Sequence, residues 1–340
     1  MERKRQDDAA TTPPCYMGAL PPTRPSTSEK ASISPILEAV DRYKRGQFVP
    51  GGRLLKFHIS ELEYQELEEK LSEDLFFKAK ISRDYFPSLR LFVLRIPSDI
   101  HERFLVRLHD EIRHQLRNLE GPSSSFAQEI EFIASTTFNP TRKGLGVHDP
   151  DGSFRHRSQR FPGVVTEVAY SQDHKKLPHL ADEYILGSNL RVRALLGFDI
   201  QYKRKQALVS VWRPHAVQRD DREVWATAAE TQVFRDDNGE PNLDPHAGLR
   251  VSLRDFASVE FCKKFENLEG SIFISCATLC TFLNEAEAKI DDESESEPDL
   301  ELEFHASSSE EELNTDDERD MVRAEKHAEE KADRADPSFK

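Results

Sequence analysis

Glu167 lies within Val164-Val165-Thr166-Glu167-Val168-Ala169-Tyr170, an otherwise apolar run. Such a run predicts a buried strand. An ionised carboxylate inside it costs several kcal/mol or more unless a cation or a metal compensates it. Asp151, preceded by Pro150, stands sixteen residues earlier. A connection of that length lets Asp151 and Glu167 lie on adjacent strands at one end of a sheet. Two carboxylates held close repel, and a divalent cation relieves the repulsion. Mg²⁺ is held through one or two carboxylates plus waters, as hydrolysis of a phosphodiester requires. The residues leave a second arrangement open, in which Glu167 pairs with an arginine on a neighbouring strand.

The elements that must position this pair follow from hydrophobic period and breakers. Order is expected from about Ile36, with a short helix there and a strand over Arg53–Ile59 after Gly51-Gly52. Ser60 caps a helix over Glu61–Leu71, with Glu63 at the capping-box position. Leu89–Ile96 reads as a buried strand. Pro97-Ser98-Asp99 starts a helix to about Leu119, with Ile100, Phe104, Leu105, Leu108, Ile112 and Leu116 on one stripe. Strands follow at Ile130–Ser135, around Phe154, and at Val164–Tyr170. A helix over Leu177–Leu186 comes next, then strands at Val192–Tyr202, Ala207–Trp212 and Glu223–Phe234. Asp236 to Gly239 is a turn, and Ser271–Ile274 with a helix to about Ala286 closes the ordered part.

Residues 141–213 hold 13 basic and 7 acidic side chains, a local surplus of six positive charges. Cations in such a window can neutralise phosphates or serve as the solvated ends of strands and helices. The histidines His101, His109, His148, His156, His174 and His179 show no metal-ligand spacing. They read as surface or loop residues, with His156 best placed to touch a phosphate. No GxSxG is present.

Several segments together resemble a known group: Pro150 to Phe154, Pro162 to Val168, Ser171-Gln172, Leu180 to Tyr184, Asp84 to Leu89, Pro97-Ser98 with His101-Glu102, and Gln232 to Asp236. They resemble a large group of uncharacterised fungal proteins, itself similar to the PD-(D/E)XK, or restriction-endonuclease-like, nuclease superfamily. The resemblance spans roughly residues 36–288. It implies an α/β fold, a mixed sheet flanked by helices, and a metal-dependent endonuclease. In that expectation Asp151 and Glu167 hold Mg²⁺ or Mn²⁺, with Glu102 as an additional acidic ligand. The family's lysine position is occupied by Ala169, so Lys175 or Lys176 in the following segment would assist the attacking water, with Gln172 a weaker candidate. Arg155, His156, Arg157 and Arg160 would grip a nucleic-acid backbone, DNA rather than RNA.

A competing expectation is a catalytically inactive relative that keeps the fold as a binding or interaction module. The pair Asp151 and Glu167 favours the nuclease, and Ala169 favours the module. A lysine amine directed at the pair would support hydrolysis; an arginine on Glu167 with no lysine nearby would oppose it.

Composition frames these readings. The chain has 340 residues and a net charge of -15, yet residues 291–340 alone carry 20 acidic and 6 basic side chains. The remainder holds 42 acidic and 41 basic side chains, so the acidity belongs to a tail. Expected boundaries are therefore a disordered segment over 1–34, one α/β domain over 35–288, and a disordered acidic tail over 289–340. A basic protein is a candidate partner for that tail. Cys276 and Cys280, four apart, read as small buried hydrophobes on a helix rather than a zinc pair. With no signal peptide and no long apolar run, an intracellular protein, nuclear or cytoplasmic, with no membrane association is expected.

Overall fold

The computed structural model describes residues 33–47, 54–74, 76–77, 81–141, 144–170, 177–200, 205–219, 222–295 and 323. Nearly all of the expected disordered segment and of the acidic tail lies outside these residues, as do Lys175, Lys176 and Gln172, but Ile33 is buried and Ser34 opens the first helix, so order begins slightly before the expected boundary. Among the described residues no helix is long and apolar enough to cross a membrane.

The first layer is small. Helix α1 (Ser34–Lys44) and helix α2 (Glu61–Leu71) pack on a four-stranded antiparallel sheet. Its strands are β1 (Leu54–His58), β2 (Ser82–Phe86), β3 (Leu91–Arg95) and β5 (Val147–His148), in the order β1-β3-β2-β5. Strand β3 starts two residues later than its apolar run suggests. Pro87–Leu89 forms a 3-10 turn, and Arg90 takes a left-handed conformation (φ 48°) before the strand begins. The capping box of α2 is formed as its sequence dictates. Glu63 N–H donates to Ser60 Oγ, and Ser60 N–H donates to Glu63 Oε2 at 2.6 Å.

The second sheet has six strands in the order β10-β9-β8-β7-β6-β4. They are β4 (Ile130–Phe132), β6 (Gly152–His156), β7 (Val164–Tyr170), β8 (Ala194–Ile200), β9 (Ala207–Arg219) and β10 (Arg222–Arg235). All neighbours are antiparallel except β7 and β8, which are joined by helix α5 (Leu177–Gly187) and pair in parallel. A parallel pair needs such a crossover, and it covers one face of the sheet. Strand β8 is accordingly buried along nearly its whole length.

Helix α3 (Asp99–Arg117) covers the opposite face, with Phe104, Leu105, Leu108, Ile112 and Leu116 inward. Phe104 meets Phe198 edge-on at 5.2 Å and stacks on Phe234 at 6.3 Å. Each fully buried side chain of this kind stabilises the fold by about 1.5–3 kcal/mol. The short helix α4 (Ser124–Gln128) and helix α7 (Cys276–Glu295) extend the same core. Cys276 and Cys280 are buried in it, as their spacing predicted. Strands β11 (Gly248–Ser252) and β12 (Ser271–Ser275) add a two-stranded sheet, with the single turn of helix α6 (Val259–Cys262) between them.

Alternation along β7 then decides where the chemistry faces. Val164, Thr166 and Val168 point to the α3 side, where Thr166 meets His109 of α3 at 2.9 Å. Val165 and Glu167 point to the α5 side, towards the edge of the small sheet. Ser60→Ala removes the α2 cap and is expected to destabilise the domain by about 1 kcal/mol, read as a lower urea midpoint at unchanged slope.

Candidate active site

Asp151 immediately precedes β6, and Gly152 pairs with Thr166 of the adjacent antiparallel strand β7. The adjacency inferred from spacing is present: Asp151, just before β6, sits beside Glu167, which lies at the middle of β7 and not at a sheet end. What fills the space between them is Arg95, from the last position of β3. Its Nη1 lies 2.9 Å from Asp151 Oδ1 and 3.1 Å from Glu167 Oε2. Its Nε is 3.0 Å from Asp84 Oδ2, an ion pair without hydrogen-bond alignment. Its Nη2 donates to the Asp149 carbonyl. One guanidinium thus ties β2 and β3 of the small sheet to β6 and β7 of the large one.

The remaining carboxylate oxygens are also engaged. Asp151 Oδ2 accepts from Val168 N–H at 2.7 Å and contacts His101 Nε2 at 3.1 Å. Glu167 Oε1 accepts from the Tyr184 hydroxyl at 2.7 Å. Behind them His148 bridges Asp84 (3.1 Å) and Glu183 (2.7 Å), and Glu183 also accepts from Gly146 N–H at 2.6 Å. Glycine is required there: a Cβ at position 146 would come within 1.8 Å of the Tyr85 carbonyl oxygen.

The electrostatics follow from burial and shared partners. Burial opposes the charge on His101, but Asp151 outweighs it and raises the imidazole to about 9. Burial likewise opposes charge on His148, and its bonds to Asp84 and Glu183 raise it to about 9. Burial raises Glu167 to about 8; nearby Asp151 and Asp84 reinforce the rise, and Arg95 opposes it. Burial works against ionised Asp151, yet His101 and Arg95 hold it well below the usual carboxylate range. Two carboxylates side by side with one shared arginine cannot ionise equally. The stronger set of partners belongs to Asp151.

Positions expected from the sequence separate clearly. Asp151 and Glu167 are brought together. Glu102 is not part of the pair: its side chain is 59% exposed and its nearest approach is 3.6 Å to His101 Nδ1, because it sits on the outer side of the first turn of α3. Lys175 and Lys176 lie outside the described residues. Ala169 shares the strand face of Glu167 and supplies no charge.

Within the expected phosphate grip, His156 needs correction. His156 is buried, 3% exposed, with its ring against Phe126 (4.6 Å) and Phe261 (4.7 Å), so it packs the core and presents nothing to a backbone. Arg155 is 3.7 Å from Glu131, directly opposite it on β4, and Arg157 pairs with Glu129. Arg160 lies over the Phe161 ring. His101, His109 and His148 are likewise buried and not surface residues.

No protein-family model matches the chain, and no curated protein is similar to it in sequence.

Sequence reasoning missed Arg95, His148, Glu183 and Tyr184. Arg95 carried the same signal as Glu167, a charge inside an apolar strand, and each is the other's compensation. Metal fit can be judged on the donor set. Each of the four oxygens of Asp151 and Glu167 already has a protein donor, and among the described residues no three His, Cys, Asp or Glu side chains are arranged to hold a metal ion. The resting geometry does not fit a divalent cation between them.

Two outcomes follow. Arg95→Met should destabilise the protein by about 3–5 kcal/mol in denaturant titration, because it removes the cation shared by three buried carboxylates and leaves Glu167 with none. Stability should also fall as pH rises from about 6.5 to about 9. The sign comes from His101 and His148, whose contribution is complete below the ordinary value of 6.5 and is lost as pH rises through about 9. Glu167 adds the same sign between its ordinary value of 4.5 and about 8, since the folded protein retains a proton that the unfolded chain releases. Thermal midpoints across this range check the slope, and Glu167→Gln should flatten its lower part.

Proposed function

We propose that this chain is a PD-(D/E)XK nuclease-like domain whose carboxylate pair is closed by an arginine, and that it acts as a non-hydrolysing interaction module. The observation that carries this reading is the guanidinium of Arg95 standing between Asp151 and Glu167, with His101, the Val168 amide and the Tyr184 hydroxyl on the remaining oxygens. The mixed six-stranded sheet flanked by helices, with Asp151 at the start of β6 beside Glu167 of β7, is compatible with this reading. A general acid, base or metal ligand needs a free lone pair or proton directed at substrate. Buried groups committed to one another have none to offer. They hold the two sheets together.

A protein partner suits this module better than a nucleic acid. The chain outside the tail is close to electrically neutral. Arg155 and Arg157 are committed to acids on or beside β4. Phosphate binding needs a surplus of uncommitted cations. The strongly acidic 291–340 segment would instead attract a basic protein surface.

The metal-dependent nuclease retains one observation in its favour. Asp151 Oδ1 and Glu167 Oε2 both face a single point, the Arg95 Nη1. Withdrawal of that side chain would leave two carboxylates converging where Mg²⁺ or Mn²⁺ could be held, with Lys175 or Lys176 as the assisting cation.

One experiment separates the two. The full chain and its Glu167→Ala variant are incubated with double- and single-stranded DNA and with RNA, in Mg²⁺ and in Mn²⁺. The module predicts no cleavage by the parent above that of the variant. Metal-dependent cleavage present in the parent and abolished in the variant would reverse the assignment in favour of the nuclease.

A further inference from the structure

We infer that the outer edge of β10 is a dimerisation surface on which a second copy of this chain pairs antiparallel about Ala226. The large sheet has two edges. One, β4, is only three residues long. The other, β10, is 14 residues long. Strand β8 pairs with β9 only as far as Trp212. Beyond that point β9 and β10 continue as a two-stranded ribbon, Arg213–Arg219 against Ala228–Arg222.

Near its C-terminal end β10 is covered by its own chain: Asn242 N–H donates to the Phe234 carbonyl, and Arg235 bridges to Pro241. From Arg222 to Thr231 no such cover exists among the described residues. A long edge with open N–H and C=O groups is a template for another strand. Folded proteins usually blunt such edges with proline, bulges or short length. Between Arg222 and Thr231 this one has no proline, and its register with β9 is unbroken. It also exposes apolar side chains, Val224 at 36% and Trp225 at 47%.

The residues of the edge itself select a second copy of the chain as its occupant. In an antiparallel pair around a two-fold axis at Ala226, Arg222 of each copy lies opposite Glu230 of the other. Val224 then faces Ala228, and Trp225 faces Thr227, which brings the two Trp225 rings to diagonal positions where aromatic side chains meet. Directly opposed residues share a face of the sheet, so both Arg–Glu pairs form on the same side. Sliding the register by one allowed step sets Arg222 against Ala228 in one direction or against Gln232 in the other, and both ion pairs are lost. The edge is therefore self-complementary in charge in one register.

A nucleic acid is a poorer occupant. Arg213 of the ribbon is committed to Asp255, and the remaining Arg219 and Arg222 are matched by Glu223 and Glu230. The inference stands on the sheet edge alone and does not depend on the state of the carboxylate pair.

The test is sedimentation equilibrium of the full chain with charge-reversed variants. The parent should be a dimer. Arg222→Glu and Glu230→Arg should each weaken it by roughly tenfold or more, since each turns two attractive cross-strand contacts into repulsive ones. The double variant Arg222→Glu/Glu230→Arg should restore it. Because both substitutions are at exposed positions, far-ultraviolet dichroism should be unchanged in all three variants. Trp225 emission should shift to the blue as the dimer forms. A parent that stays monomeric into the high micromolar range, a dimer indifferent to either single reversal, or a double variant that fails to recover would each overturn the proposal.

Discussion

A single buried guanidinium sets the terms for the rest of this fold. Arg95 meets Asp84, Asp151 and Glu167 and reaches the Asp149 carbonyl, and no water-exposed alternative exists for those acids. Removing one partner from a buried ion cluster costs far more than the cluster contributes over an apolar replacement. The cluster is thus a constraint before it is a source of stability. The end of β3, the start of β6 and the middle of β7 must arrive together, or several charges are stranded.

That constraint explains the arrangement around it. Tyr184 and Glu183 are consecutive on α5, yet both reach the cluster, Tyr184 to Glu167 and Glu183 to His148. His148, doubly engaged, links Glu183 back to Asp84 on the small sheet. Three cations, Arg95 with protonated His101 and His148, then face Asp84, Asp151, Glu167 and Glu183. A proton retained on Glu167 brings the group to neutrality, in line with its raised affinity for one. A cluster balanced in this way holds its geometry. It gives little scope for the charge redistribution that a hydrolytic centre performs at each turnover.

The sequence made much of the scaffold legible because local rules governed it. The α2 capping box, the α3 stripe and the β7 run appear where their residues place them. Strand β2 and strand β11 were not legible: Ser82–Phe86 and Gly248–Ser252 are short, and each is held by its partner strands, β3 and β5 for the first and β12 for the second, rather than by period. At the site, the adjacency of Asp151 and Glu167 could be inferred from one connection length. The identity of their counter-ion could not, because Arg95 is 56 residues from Asp151 and reaches it only through the packing of two sheets. The histidines were misjudged for the same reason. His101 and His109 share the inward face of α3, and composition carries no sign that carboxylate and hydroxyl partners await them there.

The reading of the site rests on which cation lies between Asp151 and Glu167. Crystals of the full chain soaked in Mn²⁺, with diffraction recorded at the manganese absorption edge, measure this directly. The arginine-closed site predicts ordered Arg95 density between the two carboxylates and no anomalous peak there. An anomalous peak bridging Asp151 and Glu167, with the Arg95 side chain displaced, would contradict it.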